Sequence, residues 1–270
     1  TLASQLRCSL GSSGAQYGYF YSRIYKIDFR LQCYIEFCSD TSIISSESSL
    51  TSRPLAPPAF TITAAGGHKP SVLVETAGLR LLIDPSPDFR QQALNLRLAD
   101  IDAVLVTHSH YDHVGGFDDL RPFCGNEDMP IYLRADVNAD LHRRLDYCFR
   151  EHPYPGVPTF KMNIIDNNPF YINGLKIVPV EVMHGKLPIY GYRIGKFAYI
   201  TDASHISEEE KEKLENLDVL IINSLRDKPH FAHFSFDQNR NGYVNSIFHS
   251  PRYKSPNPGM QTCRATSDLH

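Results

Sequence analysis

The sequence predicts an α/β domain in which helices cover both faces of paired sheets. Three observations predict it. Apolar runs of strand length recur between residues 72 and 223, several of them joined by two-residue turns. Stretches with helix-start residues and a helical apolar period lie between them. One apolar run ends abruptly in a loop crowded with histidines. At 270 residues the chain is long enough for one large domain with a sizeable core.

The elements follow in order. Val72–Thr76 and Leu79–Ile83 read as short strands joined at Ala77-Gly78, a hairpin signal. Residues 87–96 read as a helix with Asp88 in its opening turn and Phe89, Ala93 and Leu96 on one face. Residues 103–106 are β-branched and aliphatic and read as a buried strand, and Phe117–Phe123 reads as a short helix after Gly115-Gly116. A short strand is expected at 131–133, then a helix over 136–149 with Asp136 as N-cap and His142 on its surface. Three prolines make 151–158 a loop. Strands are expected at 160–165, Phe170–Ile172 and 175–182, with Asn173-Gly174 a strong hairpin turn between the last two. A further hairpin, 190–194 with 197–201, turns at Gly195-Lys196. Residues 207–217 read as a helix capped by Ser207, with Glu208, Glu209 and Glu210 where the dipole favours acid, and 219–223 as a buried strand.

Residues 1–60 have a different texture. They are rich in serine and tyrosine, without a sustained apolar period, and read as a poorly ordered extension, with a strand pair expected within residues 20–37. The tail 239–270 is rich in Asn, Ser and Pro and shows no clear strand. A formal net charge of -3 argues against a dominant nucleic-acid-binding surface. No apolar run is long enough to span a bilayer, and the first residues lack the apolar core of a secretory signal. The six cysteines form no CxxC pair, so Cys33 and Cys38 read as free thiols in a reducing, cytoplasmic setting.

The chemistry is concentrated in Thr107-His108-Ser109-His110-Tyr111-Asp112-His113, three histidines and an aspartate within six residues at the end of a strand. Imidazole nitrogens and a carboxylate at this density suit a borderline metal such as Zn²⁺. His108 and His110, two apart, can point the same way from an extended loop. Asp112 and His113 can point at a second ion. Two ions about 4 Å apart would clamp an oxygen-rich substrate and hold a bridging hydroxide. A merely polar, His-rich surface loop is disfavoured because the strand and the two glycines supply the context such a motif needs. His184 and Asp202 each lie just beyond an apolar run, as the motif does, and are candidates to complete the cluster.

The motif His108-x-His110-x-Asp112-His113 resembles the signature of the metallo-β-lactamase superfamily. The flanking stretches narrow the likeness: Pro70-Ser71-Val72-Leu73-Val74-Glu75, Asp84-Pro85-Ser86-Pro87-Asp88-Phe89-Arg90 and Val114-Gly115-Gly116-Phe117-Asp118-Asp119-Leu120-Arg121-Pro122. They are similar to the branch holding the cyclic-phosphate phosphodiesterase of the carbon–phosphorus lyase pathway, itself related to the tRNA 3′-processing endonucleases. The resemblance spans residues 69–238. It implies a four-layer αββα sandwich, incomplete at both ends, with Asp84 facing the metal loop. It also implies two divalent ions, Zn²⁺ with Mn²⁺ as the alternative: one held by His108, His110 and His184, the other by Asp112 and His113, with Asp202 bridging both. In the resembling phosphodiesterases a histidine after the last core strand protonates the leaving oxygen. His233 in Pro229-His230-Phe231-Ala232-His233-Phe234-Ser235 fits that role best, with His230 next. Asp112, His233 and His230 are therefore the expected catalytic residues.

Two departures bear on activity. Nothing before Lys69 matches the family's Gly-rich opening turn, and the closing turn that normally supplies a last histidine ligand is not found. His249 is the only nearby substitute, so a weaker second site is expected. The implied function is a metal-dependent phosphodiesterase acting on a small cyclic phosphate or a nucleotide phosphodiester. The rivals are a thioester- or lactone-cleaving hydrolase of the same fold and a catalytically impaired metal-binding paralogue. A large RNA partner is less favoured because no long insertion that could grip it is visible. No membrane partner is expected, and a homodimer is left open.

Overall fold

The computed structural model describes residues 71–125, 127–217, 219–224, 228–235 and 238, together with the backbone of four short strands before residue 65. Two seven-stranded sheets face each other. The first contains β3 (Cys33–Glu36), β4 (Thr61–Ala64), β5 (Val72–Thr76), β6 (Leu79–Ile83), β7 (Ala103–Leu105), β8 (Met129–Leu133) and β9 (Phe160–Ile164), in that spatial order. The second runs β10 (Phe170–Ile172), β11 (Leu175–His184), β12 (Leu187–Ile194), β13 (Phe197–Ile200), β14 (Val219–Ser224), β1 (Tyr17–Phe20), β2 (Lys26–Asp28).

Alternation along the strands decides which side chains meet between the sheets. Val72, Val74, Leu81, Ile83, Ala103 and Leu105 pack against Ile177, Tyr192, Ile194, Phe197, Tyr199 and Ile221. The opposite faces are buried by helices. Leu82, Val104 and Ile131 lie under Phe89 and Ala93 of α1 (Phe89–Leu96), Phe117 and Leu120 of a 3₁₀ segment (Phe117–Phe123), and Val137 and Leu141 of α3 (Ala135–Arg144). On the other sheet, Val180, Ile200 and Ile222 lie under Leu214 and Leu217, just past α4 (Glu208–Glu212). The result is the four-layer αββα sandwich expected from the sequence.

Several boundaries differ from expectation. The helix over 136–149 is shorter: α3 ends at Arg144 and Asp146–Cys148 forms a separate 3₁₀ turn. Its N-cap is Arg134, not Asp136, whose carboxylate is engaged by Arg134 Nε at 3.0 Å. The helix expected over 207–217 is α4 alone, although Ser207 does cap it, accepting from the Glu210 N–H at 3.2 Å. Asp88 is the N-cap of α1 rather than part of its first turn. β11 and β12 reach further than their alternation suggests and close on a hairpin in which His184 pairs with Leu187. His184 is therefore the last residue of a strand, not a loop residue beyond it. His142 is exposed, as expected.

The stretch before residue 65 contributes to both sheets. β1 pairs antiparallel with β14 and with β2, and β4 bridges β3 and β5. The strands within residues 20–37 do not pair with each other, since β2 and β3 belong to different sheets. The remainder of residues 1–60, the tail 239–270 and His249 lie outside the described residues. Among the described residues, Cys124 and Cys148 are free cysteines, and no helix is long and apolar enough to cross a membrane.

Candidate functional site

The loop after β7 leaves the sheet at Val106 and is pinned from both sides. Val106 N–H donates to the Tyr132 carbonyl at 3.0 Å, and the Tyr190 N–H donates to the Thr107 carbonyl at 3.1 Å. The buried Tyr192 hydroxyl donates to the Val106 carbonyl at 2.6 Å. The motif is thus fixed where the two sheets meet. Tyr111–Val114 then forms one short helical turn, α2, with His110 as its extended N-cap residue. Gly116 closes the loop because backbone must approach backbone. Its N–H donates to the Pro85 carbonyl at 2.9 Å, and an added Cβ would stand 2.1 Å from the Ser86 carbonyl oxygen.

Asp84 organises the centre. It ends β6 with φ +56°, a left-handed conformation that aspartate tolerates better than most residues, and it is fully buried. Its carboxylate accepts the Thr107 N–H at 2.8 Å, the Thr107 hydroxyl at 2.6 Å and His113 Nδ1 at 2.8 Å. The Thr107 oxygen in turn lies 2.9 Å from His108 Nδ1. His184 Nδ1 lies 2.8 Å from the Ala232 carbonyl. Each of these three imidazoles has Nδ1 beside a buried acceptor, which assigns the proton to Nδ1 and leaves Nε2 to face the centre. Tethering of this kind orients metal-binding histidines and raises their basicity.

Four groups converge. One ligand atom from each of His108, His110, His184 and Asp202 can be chosen so that all lie within 4.8 Å of one another. His113 Nε2 stands 3.0 Å from Asp202 Oδ2 and 4.0 Å from Asp112 Oδ2. His233 Nδ1 is 3.6 Å from Asp202 Oδ1. The expected residues are therefore brought together, with His108 Nε2 and His113 Nε2 both reaching Asp202 Oδ2, at 3.6 and 3.0 Å. Asp202, like Asp84, follows a strand with positive φ, here +52°. His230 is one ring further out. Its Nδ1 accepts the Ala232 N–H at 3.2 Å, and its ring centroid is 5.2 Å from that of His233.

Electrostatics match the donor set. Burial, then the neighbouring His113, lowers the His108 pKa to about 2, so this imidazole is neutral, the form that binds a cation. His110 is also lowered, by burial first and His184 next. His113 behaves oppositely. Burial would lower it, but the Asp84 and Asp202 carboxylates outweigh that and push it up to about 10. Its Nε2 thus attracts positive charge, whether a proton or a metal ion. Burial would raise Asp202, yet the hydrogen bond and charge of His113 hold it below the usual carboxylate range. Neutral imidazoles and an ionised carboxylate in one partly buried cluster fit a divalent metal ion.

Sequence reasoning missed the groups that hold the loop from behind. Asp140 Oδ2 accepts the Ser109 hydroxyl at 2.5 Å, and Arg144 Nη1 donates to the Ser109 carbonyl at 2.6 Å. Both come from α3 and clamp the peptide between His108 and His110. Asn223 does the same for Asp202, with its side-chain amide bonded to both the N–H and the carbonyl of Ala203 at 2.8 and 3.1 Å. The only local signal was a polar residue at each site. Ser109→Ala should weaken Zn²⁺ binding by about tenfold, the lower end for losing an outer contact of a ligand loop. Ser109→Thr should retain affinity. Chelator competition measures both, and unchanged affinity in the alanine variant would reduce the clamp to packing.

Comparison with known proteins agrees with this geometry. Residues 79–243, more than half of the chain, match the family model described as a β-lactamase superfamily domain, and the chain belongs to that superfamily. Within it, the likeness runs to the branch of the PhnP family and of ribonuclease Z. The crystal structure of a diphosphatase from the PhnP family superposes with a TM-score of 0.61 and 35% identity, covering 69% of this chain and 70% of that one. A ribonuclease Z of Methanopyrus kandleri is 45% identical over 130 residues, 46% of this chain and 43% of the relative. An octanoyltransferase of Porphyromonas gingivalis is 45% identical over 169 residues, 62% of this chain and 34% of the relative. The chain spans less than half the length of these two curated relatives.

Proposed function

We propose that the chain is a metal-dependent hydrolase of phosphate diester or diphosphate bonds in a small phosphorylated substrate. The observation that carries this reading is the convergence of His108, His110, His184 and Asp202, with His113 Nε2 also 3.0 Å from Asp202 Oδ2. His108, His110 and His184 would hold one divalent ion, Asp112 and His113 a second, and Asp202 both. Zn²⁺ suits these ligands, with Mn²⁺ as the alternative. Ions bound there supply Lewis acidity toward phosphoryl oxygens and lower the pKa of water. The protein's part is to hold the ligands rigid through Asp84, Thr107 and the α3 clamp. His233, half-buried and 3.6 Å from Asp202 Oδ1, would give a proton to the departing oxygen. The diphosphatase and ribonuclease relatives support phosphoryl chemistry.

The octanoyltransferase relative is the observation that favours acyl chemistry, and the chain covers only 34% of it. An acyl thioester therefore belongs in the same assay. Zn²⁺-loaded protein should hydrolyse bis(p-nitrophenyl) phosphate and leave the thioester intact. Asp112→Ala should lower that turnover by more than about a hundredfold, beyond the usual effect of an outer-shell change. Asp112 sits on a surface turn with little packing to lose, so circular dichroism should be unchanged. Thioester cleavage without phosphodiester cleavage would reverse the reading. Metal binding without any turnover would favour the impaired paralogue.

A further inference from the structure

A row of rings leads out from the metal-binding cluster to the surface. His184 and His233 have ring centroids 4.7 Å apart, His233 and His230 5.2 Å, and His230 and Phe231 4.8 Å. The three histidines are half-buried, but Phe231 is 83% exposed, more than any other large apolar side chain among the described residues. Exposure alone is ordinary for a single apolar side chain; what sets Phe231 apart is its place at the outer end of this row, beside the cluster.

Its position is not free. The Ala232 carbonyl is tied to His184 Nδ1, the His230 ring nitrogen accepts the Ala232 N–H, and the Phe234 N–H donates to the Ala203 carbonyl at 2.6 Å. Phe231 therefore directly precedes a stretch tied at Ala232 to His184 and at Phe234 to Ala203, the residue after Asp202. Below the ring is Gly185, the residue after His184. A Cβ built on Gly185 would lie 3.7 Å from two carbons of the Phe231 ring. One edge of the ring rests on bare backbone beside a ligand, while the remainder faces solvent.

We propose that Phe231, flanked by His230, is a stacking platform for the nucleobase of a nucleotide substrate whose phosphate is held at the cluster. This rests on the phosphoryl reading above and narrows it from phosphate esters in general to base-bearing ones. The ring's setting selects the occupant. A solvent-open aromatic face suits a flat ring laid upon it, and stacking of that kind tolerates any base. An aliphatic acyl chain gains most from enclosure, which a ring so exposed does not give it. The neighbouring imidazole of His230 offers a polar edge of the sort a base can use. Anchoring the phosphate at one end and the base at the other would fix the scissile bond relative to His233.

The test compares two ligands that carry the same phosphate, thymidine 5′-monophosphate and ribose 5-phosphate. Binding to the full Zn²⁺-loaded chain is read by calorimetry. The wild type should bind the nucleotide more tightly, by between about fivefold and a hundredfold, the range for one stacked base. Phe231→Ala should erase that preference while leaving ribose 5-phosphate binding unchanged, and Phe231→Trp should keep it. Equal affinity of the wild type for both ligands, a preference that survives in Phe231→Ala, or binding of neither ligand would overturn the platform. Turnover of bis(p-nitrophenyl) phosphate in the wild type is scored separately. If turnover persists and the preference is absent, the platform fails and the phosphoryl reading stands. If turnover is absent, that reading fails first, while the binding comparison still decides whether Phe231 receives a base.

Discussion

Replacing His108 and His110 together with alanine is expected to strip the protein of bound Zn²⁺ and to abolish phosphodiester hydrolysis. The two rings sit at the heart of the cluster, with His108 Nε2 3.1 Å from His110 Nδ1 and 3.6 Å from Asp202 Oδ2. His184 and Asp202 alone would leave two ligands where a tightly held zinc needs three or four protein groups. Affinity should fall by more than the 10- to 100-fold typical of an outer-shell change. His110 is exposed and contributes little packing, whereas His108 is buried, so the variant should also lose some stability. Elemental analysis of both proteins after dialysis reads the metal, and thermal unfolding confirms that the variant folds. Equal metal content in the two proteins would remove the basis for the site. In the wild type, chelation should abolish turnover, and added Zn²⁺ or Mn²⁺ should restore it.

The parts of this site legible in the sequence were those coded locally. The strand expected over 103–106, which ends one residue earlier at Leu105, and the crowding of His108, His110, Asp112 and His113 lie within a dozen residues, so strand period and residue type were enough to point to them. β5 and β6 kept their expected bounds because Ala77 and Gly78, both with positive φ, set a two-residue turn and with it the register. Asn173-Gly174 did the same for β10 and the start of β11. Boundaries failed where a tertiary partner decided them. Residues 187–189 joined β12 because β11 continued opposite them to His184. Asp136 lost the capping role to its contact with Arg134. The supports of the site were invisible for the same reason. Asp140 and Arg144 reach Ser109 across 31 and 35 residues, and Asn223 reaches Ala203 across 20. Nothing in the local text distinguishes these from ordinary surface polar residues.

Asp84 carries the second large expectation, because one buried carboxylate serves structure and site together. Its two oxygens accept three hydrogen bonds, from the Thr107 N–H, the Thr107 hydroxyl and His113 Nδ1, with no exposure to water. Asp84→Ala would strand the amide, the hydroxyl and the imidazole in a dry interior and place an alanine at φ +56°. Removing one partner of a buried charged pair typically costs 3–5 kcal/mol, so a loss of about 4 kcal/mol in unfolding free energy is expected. Asp84→Asn separates the two roles. Asparagine accepts the left-handed conformation, and its single carbonyl oxygen can keep part of the network, so the stability loss should be about half as large. Its charge is gone, however, and the His113 Nδ1 proton loses the anion that fixes Nε2 toward Asp202. Metal affinity should therefore fall by about 10- to 100-fold even in the better-folded variant. Denaturant unfolding of the metal-free proteins gives the first quantity, and chelator competition gives the second. If Asp84→Asn kept wild-type metal affinity while losing stability, Asp84 would be a fold residue only, and the orientation of His113 would have to come from elsewhere in the loop.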